Sequence, residues 1–214
     1  KCTKCGACKS VCNFNAISNF TVNPLLCEGC SACKLVCKSN AIKLENEINA
    51  EIRMWESKNI KLVSGLLMPG STGSGKIVEE IKNVASLANA EIAILDSAAG
   101  IGCPVIASLR GSDFALLVTE PVPAALADLK RIVRLANHFS LPYAVVINKW
   151  NINPRFAATI ERKYRDRVVA KISYSDDVIA YLSELKPVVF TESPVSEELK
   201  VLFRNLLERL DVGI

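Results

Sequence analysis

The chain has 214 residues, half of them hydrophobic and 22% charged, a composition that supports a folded core and excludes wholesale disorder. The formal net charge of +4 is too small, and the charges are too evenly spread, to predict a nucleic-acid partner. No apolar run approaches the ~18 residues that a membrane span requires, so we expect no membrane insertion.

Cysteine is concentrated at the start of the chain. Eight of the nine cysteines lie between Cys2 and Cys37, and the rest of the chain holds only Cys103. A disulfide framework would spread its cysteines over the domain that it crosslinks, so we expect metal ligation in a reducing, cytoplasmic compartment. We interpret Cys103 as a small buried thiol. Because the chain opens on Lys1, directly before the first of these cysteines, we expect a fragment whose N-terminal part is missing.

These cysteines belong to an internal repeat with a shift of 25 residues (27 − 2). Both copies read C-x-x-C-x-x-C-x-x-x-C, with Cys2, Cys5, Cys8 and Cys12 in the first copy and Cys27, Cys30, Cys33 and Cys37 in the second. Three cysteines at two-residue gaps can bind one cubane cluster, because each thiolate must reach a different iron. Zinc sites draw their ligands from two separated pairs, which leaves a pair of zinc knuckles as the weaker alternative.

The repeat resembles the bacterial two-cluster ferredoxin module. The resemblance implies two [4Fe–4S] clusters with crossed ligands. Cluster 1 would be held by Cys2, Cys5, Cys8 and Cys37, and cluster 2 by Cys27, Cys30, Cys33 and Cys12. Asn13 and Lys38 replace the proline that follows the fourth cysteine in that family, which affects the local turn and the reduction potential rather than the ligand set. The lysines among the ligands either stabilise the reduced clusters or merely solvate a small domain.

After Ile42, strand-like and helix-like segments alternate, which predicts a mostly parallel α/β sheet flanked by helices. We assign residues 1–45 to a small α+β iron–sulfur module and 46–214 to the α/β domain. The two are joined through a polar connector with short extended pieces, Leu44–Lys58. The predicted strands are Ile60–Leu67, Glu91–Leu95, Ala115–Thr119, Tyr143–Ile147 and Val168–Ile172. One predicted helix follows Gly75. The others cover Leu126–Phe139, Pro154–Arg167, Asp177–Leu185 and Ser196–Leu210.

Polar residues follow three of the predicted strands. Asp96, Glu120 and Asn148 stand at the carboxyl ends of strands, where parallel sheets collect their functional groups. Each residue alone is explained as a loop residue or a helix cap. Taken together with their flanking segments, they favour a functional edge.

Those flanking segments are D-S-A-A-G-I-G-C-P-V from Asp96, R-G-S-D from Arg110, V-T-E-P-V-P from Val118 and V-I-N-K from Val146. They resemble the second half of a MinD/ParA-type ATPase, and more closely the MinD-superfamily ATPases with an inserted ferredoxin domain. The resemblance implies an incomplete P-loop NTPase-like core that uses ATP and Mg²⁺ and forms a homodimer when complete. It makes Asp96 the switch aspartate near Mg²⁺ and the attacking water. The backbone of Gly100 would sense the γ-phosphate, and Asn148 would border the adenine.

One departure from that family is Ala98, where proline is frequent, which predicts a looser switch loop. A second concerns the phosphate-binding loop. Gly70–Lys76 satisfies G-x-x-x-x-G-K, yet Ile77 stands where a hydroxyl should bind Mg²⁺, so we interpret the segment as a flexible surface turn. In the family the true loop precedes the ferredoxin insertion. We therefore expect the loop to lie upstream of Lys1 and this chain alone not to hydrolyse ATP.

Three functions stay open. The first is an iron–sulfur protein that couples ATP binding to electron transfer to a redox partner protein. The second is a cluster carrier or assembly ATPase, which would need labile cysteines at a dimer interface. The third is a non-enzymatic ferredoxin-type electron carrier that uses a degenerate nucleotide domain for docking.

The C-terminal segment Ser196–Leu210 predicts an amphipathic helix with Ser196 as its cap. Its polar face mixes acidic and basic side chains, whereas a helix that lies on an anionic membrane carries a mostly basic face. We expect this helix to pack on the sheet domain.

Overall fold

The computed structural model describes residues 1–210, which form two compact units, one over residues 1–98 and one from Ala99 onward. The first unit contains the cysteine repeat, an antiparallel hairpin and a helix. The second contains a parallel sheet with helices on both faces. Among the described residues, no helix is both long and apolar enough to cross a membrane.

The cysteine repeat is also a repeat of backbone conformation. Each copy contains a one-turn helix, α1 (Ala7–Ser10) or α2 (Ala32–Leu35), and a short antiparallel hairpin of β1 (Ile17–Ser18) and β2 (Thr21–Val22) lies between them. Left-handed residues recur with the same 25-residue shift, at Lys4 and Gly29, Gly6 and Ser31, and Asn15 and Asn40. The duplicated sequence therefore folds into duplicated local geometry.

A long hairpin follows, built from β3 (Ala50–Ser57) and β4 (Ile60–Leu67). The pairing runs without a shift from Ala50↔Leu67 to Ser57↔Ile60, and left-handed Lys58 lies in the turn. The strand Ile60–Leu67 was predicted with these bounds, but it pairs antiparallel with a neighbour instead of joining the parallel sheet. The second half of the connector predicted over Leu44–Lys58 is one continuous strand and not short extended pieces, because cross-strand pairing with β4 satisfies the backbone of β3.

Helix α3 (Ser74–Ser86) packs on this hairpin through Gly65 of β4. A Cβ atom at Gly65 would lie 2.6 Å from Cδ1 of Ile77 and 2.7 Å from Cδ1 of Ile81. The absence of a side chain at Gly65 is therefore what lets the two isoleucines reach the strand, and Ile77 is buried. This contact also sets where the N-terminal end of α3 lies in the first unit.

The strand predicted over Glu91–Leu95 is wrong. These residues are irregular, and Ile94 is 89% exposed. A parallel strand requires partners for its N–H and C=O groups, and within the described residues no other strand pairs with this segment. Its apolar alternation alone does not hold it extended.

The parallel sheet of the second unit consists of β5 (Ala115–Thr119), β6 (Tyr143–Asn148) and β7 (Val168–Ile172), in that spatial order. The prediction of a parallel sheet flanked by helices is confirmed for this region. The central strand β6 is buried on both faces, as expected for a strand covered by helices on each side. The helices of this unit are α4 (Cys103–Leu109), α5 (Pro123–His138), α6 (Pro154–Lys163), α7 (Asp176–Ser183) and α8 (Pro194–Leu210).

Two apolar clusters cover the faces of this sheet. On one face, Val145 and Ile147 pack with Leu129 of α5 and Ile160 of α6. On the other face, Ala144 and Val146 pack with residues of α8 and of the short turn Val188–Phe190. The helix starts match local signals: Pro123 and Pro154 occupy first turns, and the side chain of Asn153 accepts a hydrogen bond from the N–H of Phe156.

Helix α8 packs on the sheet, which confirms the prediction for the C-terminal segment. Leu207 is buried, and Asn205 Nδ2 donates a hydrogen bond to the carbonyl oxygen of Val169 in β7 (2.7 Å). The predicted cap is wrong, because the helix begins at Pro194 and the hydroxyl of Ser196 donates to the carbonyl oxygen of Val189. Phe203 of the same helix is 52% exposed.

Candidate functional site

The eight cysteines of the repeat lie around two cavities of the first unit. Cavity 1 is lined by Cys2, Cys5, Cys8 and Cys37, and cavity 2 by Cys12, Cys27, Cys30 and Cys33. All eight are free thiols. In each set, three cysteines come from one copy of the repeat and the fourth comes from the other copy. Each cavity therefore depends on both copies.

The hairpin β1–β2 separates the two cavities. Its paired residues Ile17 and Val22 line both of them, and Ile17 and the preceding Ala16 are buried. Aromatic residues complete the linings, Phe20 at cavity 1 and Phe14 at cavity 2. The thiols thus share their cavities with apolar side chains.

Backbone N–H groups approach the fourth cysteine of each copy in the same way. The N–H of Ala16 donates to Sγ of Cys12 (3.4 Å), and the N–H of Ala41 donates to Sγ of Cys37 (3.3 Å). Each donor lies four residues after its cysteine, next to left-handed Asn15 or Asn40.

Two thiol pKa values depart from the ordinary range, in opposite directions. The hydroxyl of Ser39 lies 3.5 Å from Sγ of Cys37, and this contact, together with the N–H of Ala41, lowers the pKa of Cys37. Burial raises the pKa of Cys33, partly offset by a hydrogen bond from the backbone of Lys34. The position of Ser39 corresponds to Phe14 in the first copy, so Cys12 receives no equivalent hydroxyl from that position.

The Gly70–Lys76 segment binds the loop between Cys27 and Cys30. The hydroxyl of Thr72 donates to the carbonyl oxygen of Cys27 (2.6 Å), and the N–H of Gly73 donates to Oε2 of Glu28 (2.8 Å). Nζ of Lys76 donates to the carbonyl oxygen of Gly29 (3.1 Å). The predicted flexible turn is wrong for Ser74–Lys76, which form the start of α3. The segment is also not free, because an amide and the lysine that a phosphate loop would offer to a nucleotide are used within the protein.

Within residues 1–210, no three side chains of His, Cys, Asp or Glu converge closely enough to hold a single metal ion. The cysteines instead surround the two cavities, with four thiols at each.

The three residues predicted to contact nucleotide lie in different places. Asp96 is exposed in irregular backbone of the first unit, whereas Gly100 belongs to the second unit, where it is left-handed (φ 94°). Asn148 is the last residue of β6, and its Oδ1 accepts a hydrogen bond from the N–H of Lys149 (3.1 Å).

The carboxyl edge of the parallel sheet brings together two of the predicted polar residues. Glu120 follows β5 and Asn148 ends β6, and Nζ of Lys149 lies 2.7 Å from Oε1 of Glu120. The placement of these two residues at one edge is as predicted, whereas Asp96 follows no strand. Cys103 is exposed at the start of α4, so the prediction of a buried thiol is wrong.

Sequence reasoning missed further residues at this edge. After β7, the N–H and hydroxyl of Ser173 both donate to the carboxylate of Glu198 (2.6 and 2.7 Å), and Trp150 Nε1 donates to the same hydroxyl (3.1 Å). Thr119, at the end of β5, has a buried hydroxyl without a partner among the described residues. The polar run Ser173–Asp176 directly after a strand was a usable signal for the first group, because that edge collects functional groups.

No protein-family model matches this sequence. The chain is 39% identical over 210 residues to the uncharacterized protein MJ0578 of Methanocaldococcus jannaschii, a match that covers 97% of this chain and 72% of that protein. The chain belongs to the same family as MJ0578. A second relative is the uncharacterized protein MJ0579 of the same organism, 32% identical over 132 residues, or 60% of this chain and 49% of the relative.

Solved structures relate the MJ0578 family to a known fold. The MinD cell division protein of Aquifex aeolicus matches with a TM-score of 0.52 and 25% identity over 70% of this chain. The cell division ATPase MinD of Pyrococcus furiosus matches with a TM-score of 0.53 and 20% identity over 64% of this chain. This chain spans 65% and 59% of the two MinD chains. The predicted relation to MinD/ParA-type P-loop ATPases is confirmed, and these comparisons leave the ferredoxin insertion as a proposal.

Proposed function

We propose that this chain is a MinD-type protein that carries two [4Fe–4S] clusters and couples nucleotide binding to electron transfer. The observation that carries the proposal is the grouping of eight cysteines around two cavities, four at each. Cluster 1 would be held at cavity 1 and cluster 2 at cavity 2. When bound, each cluster supplies a one-electron redox centre.

The donor set fits such a cluster. A tetrahedral zinc site brings its ligand sulfurs to about 3.8 Å from one another, from a Zn–S distance of about 2.3 Å. A cubane keeps its four thiolates apart, one at each iron, so cysteines around a cavity suit it better than cysteines around a point. The N–H groups of Ala16 and Ala41 supply hydrogen bonds to sulfur of the kind that tunes cluster potentials.

The apolar linings support a role in electron transfer rather than in cluster delivery. A carrier needs a cluster that leaves readily, with ligands shared across an interface between chains. Here both sets of four thiols come from one chain, and Ile17 and Val22 lie between the two cavities. Apolar side chains beside the ligands suit a resident cofactor, and ligands that all come from one chain favour a permanent one.

The nucleotide part of the proposal rests on the MinD/ParA-type fold. We assign ATP and Mg²⁺ to the complete protein, with Asp96 near the metal and the attacking water, Gly100 near the γ-phosphate and Asn148 beside the adenine. One solved relative of the fold is a MinC:MinD complex of Aquifex aeolicus, 22% identical to this chain with a TM-score of 0.54. For this protein the proposed assembly is a homodimer that passes electrons to a redox partner protein.

Anaerobic reconstitution with iron and sulfide tests the cluster assignment. Two [4Fe–4S] clusters predict about eight iron and eight labile sulfide per chain, with paramagnetic resonance signals after reduction. Cys103→Ser is the matched control, since Cys103 is an exposed cysteine outside the repeat and its loss should leave both clusters in place. A chain that binds zinc without sulfide would contradict the proposal.

A further inference from the structure

The two ligand loops of the repeat have different surroundings. Residues Cys27, Glu28 and Gly29 each receive one hydrogen bond from the segment Thr72–Lys76, which we call the clasp. The residues that correspond to them in the first copy, Cys2–Lys4, are exposed. The two copies therefore share their backbone conformation, but only the second copy is bound by the clasp.

Gly29 has the conformation and the size that this contact requires. It is left-handed (φ 60°), and a Cβ atom there would lie 3.1 Å from Nζ of Lys76. The corresponding residue of the first copy, Lys4, is also left-handed but carries a full side chain. Glycine at position 29 therefore allows the turn and also leaves room for Nζ of Lys76.

The clasp brings positive charge to one ligand loop. Lys76 contributes a full charge, and the first turn of α3 contributes the partial positive charge of a helix N-terminus. The carboxylate of Glu28 offsets part of this charge where it accepts the N–H of Gly73. Since reduction adds negative charge to a cluster, a nearby cation favours the reduced form.

We propose that the clasp fastens the Cys27–Cys30 loop and that Lys76 makes cluster 2 easier to reduce than it would otherwise be. Lys76 is a positioning residue, because it acts on the loop that carries two ligands and not on iron. This inference rests on the proposed function, since it requires that the clusters are present.

Redox titration of the reconstituted chain, followed by paramagnetic resonance, tests whether the charge of Lys76 favours reduction of cluster 2. Cys5→Ser and Cys30→Ser assign the signals of clusters 1 and 2. In Lys76→Gln we expect the ratio of reduced to oxidised cluster 2 to fall about tenfold at a fixed potential, equivalent to ~59 mV for one electron. Cluster 1 serves as the internal reference and should not shift, and Lys76→Arg should restore the ratio.

Lys61→Gln is the matched control. Nζ of Lys61 donates to the carbonyl oxygen of Ala88 at 3.1 Å, the same kind of contact in the same unit, without involving a cysteine loop. An unchanged midpoint of cluster 2 in Lys76→Gln, an equal shift of both clusters, or an equal effect of Lys61→Gln would overturn the inference. A chain that takes up no iron and sulfide would overturn the proposed function as well, which separates the two failures.

Two further variants keep the test decisive if Lys76→Gln loses cluster 2 altogether. Glu28→Gln removes the negative charge that offsets Lys76 and keeps an acceptor for the N–H of Gly73. The reduced fraction of cluster 2 should therefore rise at a fixed potential. An unchanged fraction would contradict the role of charge. Thr72→Val removes the hydrogen bond to Cys27 and no charge. It should speed the loss of iron from cluster 2 to a chelator, and an unchanged rate would contradict the fastening role.

Discussion

The two copies of the cysteine repeat are alike in backbone and unlike in environment. Both have a one-turn helix, left-handed residues at corresponding positions and an N–H directed at the fourth cysteine. The second copy alone has its ligand loop bound by Thr72–Lys76, and a hydroxyl lies beside Cys37 where the first copy has Phe14. Duplication thus gives the two sets of ligands the same local backbone, and the rest of the fold gives them different surroundings.

The largest effect should come from breaking the exchange of ligands between the copies. Cys12 lies in the first copy but lines the cavity of Cys27, Cys30 and Cys33. Because a cubane that loses a thiolate is destabilised, Cys12→Ser should damage cluster 2 and spare cluster 1. Paramagnetic resonance of the reduced variant measures this.

Cys37→Ser is the reciprocal variant and should damage cluster 1 alone. Loss confined to cluster 1 in Cys12→Ser would show that each copy binds its own cluster, and the crossed assignment would be wrong.

A second prediction concerns the anchor of the clasp. Ile77 is the buried residue of α3 and reaches β4 at Gly65, so Ile77→Ala should lower the free energy of unfolding by about 2–4 kcal/mol. Denaturant titration followed by circular dichroism gives the value. The same variant should lower the midpoint potential of cluster 2, because Lys76 is the adjacent residue.

The control for this variant is Ile60→Ala at the start of β4. Ile60 is 74% exposed, so its truncation should change the free energy of unfolding by less than about 0.5 kcal/mol. Equal losses in the two variants would show that α3 does not depend on the contact with Gly65.

Nucleotide should shift the midpoint potentials of the clusters in the complete protein. A coupling free energy of ~1–3 kcal/mol between the sites corresponds to roughly 40–130 mV for one electron. Comparing the midpoints of the two clusters with and without Mg-ATP shows whether one copy of the repeat responds or both. The shift should disappear in Asp96→Ala.

Redox titrations with and without Mg-ATP measure this shift. Identical midpoints, together with identical rates of electron transfer to a partner, would leave the nucleotide domain as a docking platform. The third of the functions considered from the sequence would then be preferred.

The smallest effect should come from Ser39. Its hydroxyl lies beside Cys37 and contributes to the lowered pKa of that thiol. Removing one hydrogen bond worth about 0.5 kcal/mol should lower the midpoint of cluster 1 by ~20 mV in Ser39→Ala. Ser39→Thr keeps the hydroxyl and serves as the control; a shift of the same size in both variants would assign the effect to packing.

Much of the fold could be predicted because the signals are local. The strands Ile60–Leu67, Ala115–Thr119 and Val168–Ile172 have the predicted bounds, since each is an apolar run between turn or helix signals. The 25-residue repeat likewise specified two equivalent sets of turns. Strand β3 was missed because Glu51, Arg53 and Glu56 make it read as a polar connector until its pairing with β4 is known.

The prediction for the segment before Asp96 was wrong for the opposite reason, because a strand was expected there and none forms. Glu91–Leu95 has the composition of a strand, but a strand exists only where partners satisfy its backbone groups, and composition does not supply partners. The same reasoning explains the Gly70–Lys76 segment. Its pattern predicts a glycine-rich turn before a helix, and only the distance to Cys27–Gly29 shows what its amide and its lysine bind.

The sequence by itself determined the types and spacing of the thiols, the relation to MinD/ParA-type proteins and the order of most strands and helices. These properties depend on residues close together along the chain, where spacing and periodicity act directly. The tertiary structure alone decided that Thr72 and Lys76 bind the Cys27–Cys30 loop and not the corresponding loop of the first copy. Those contacts join residues 45 and 47 positions apart, and packing of Ile77 on Gly65, not local preference, brings them together.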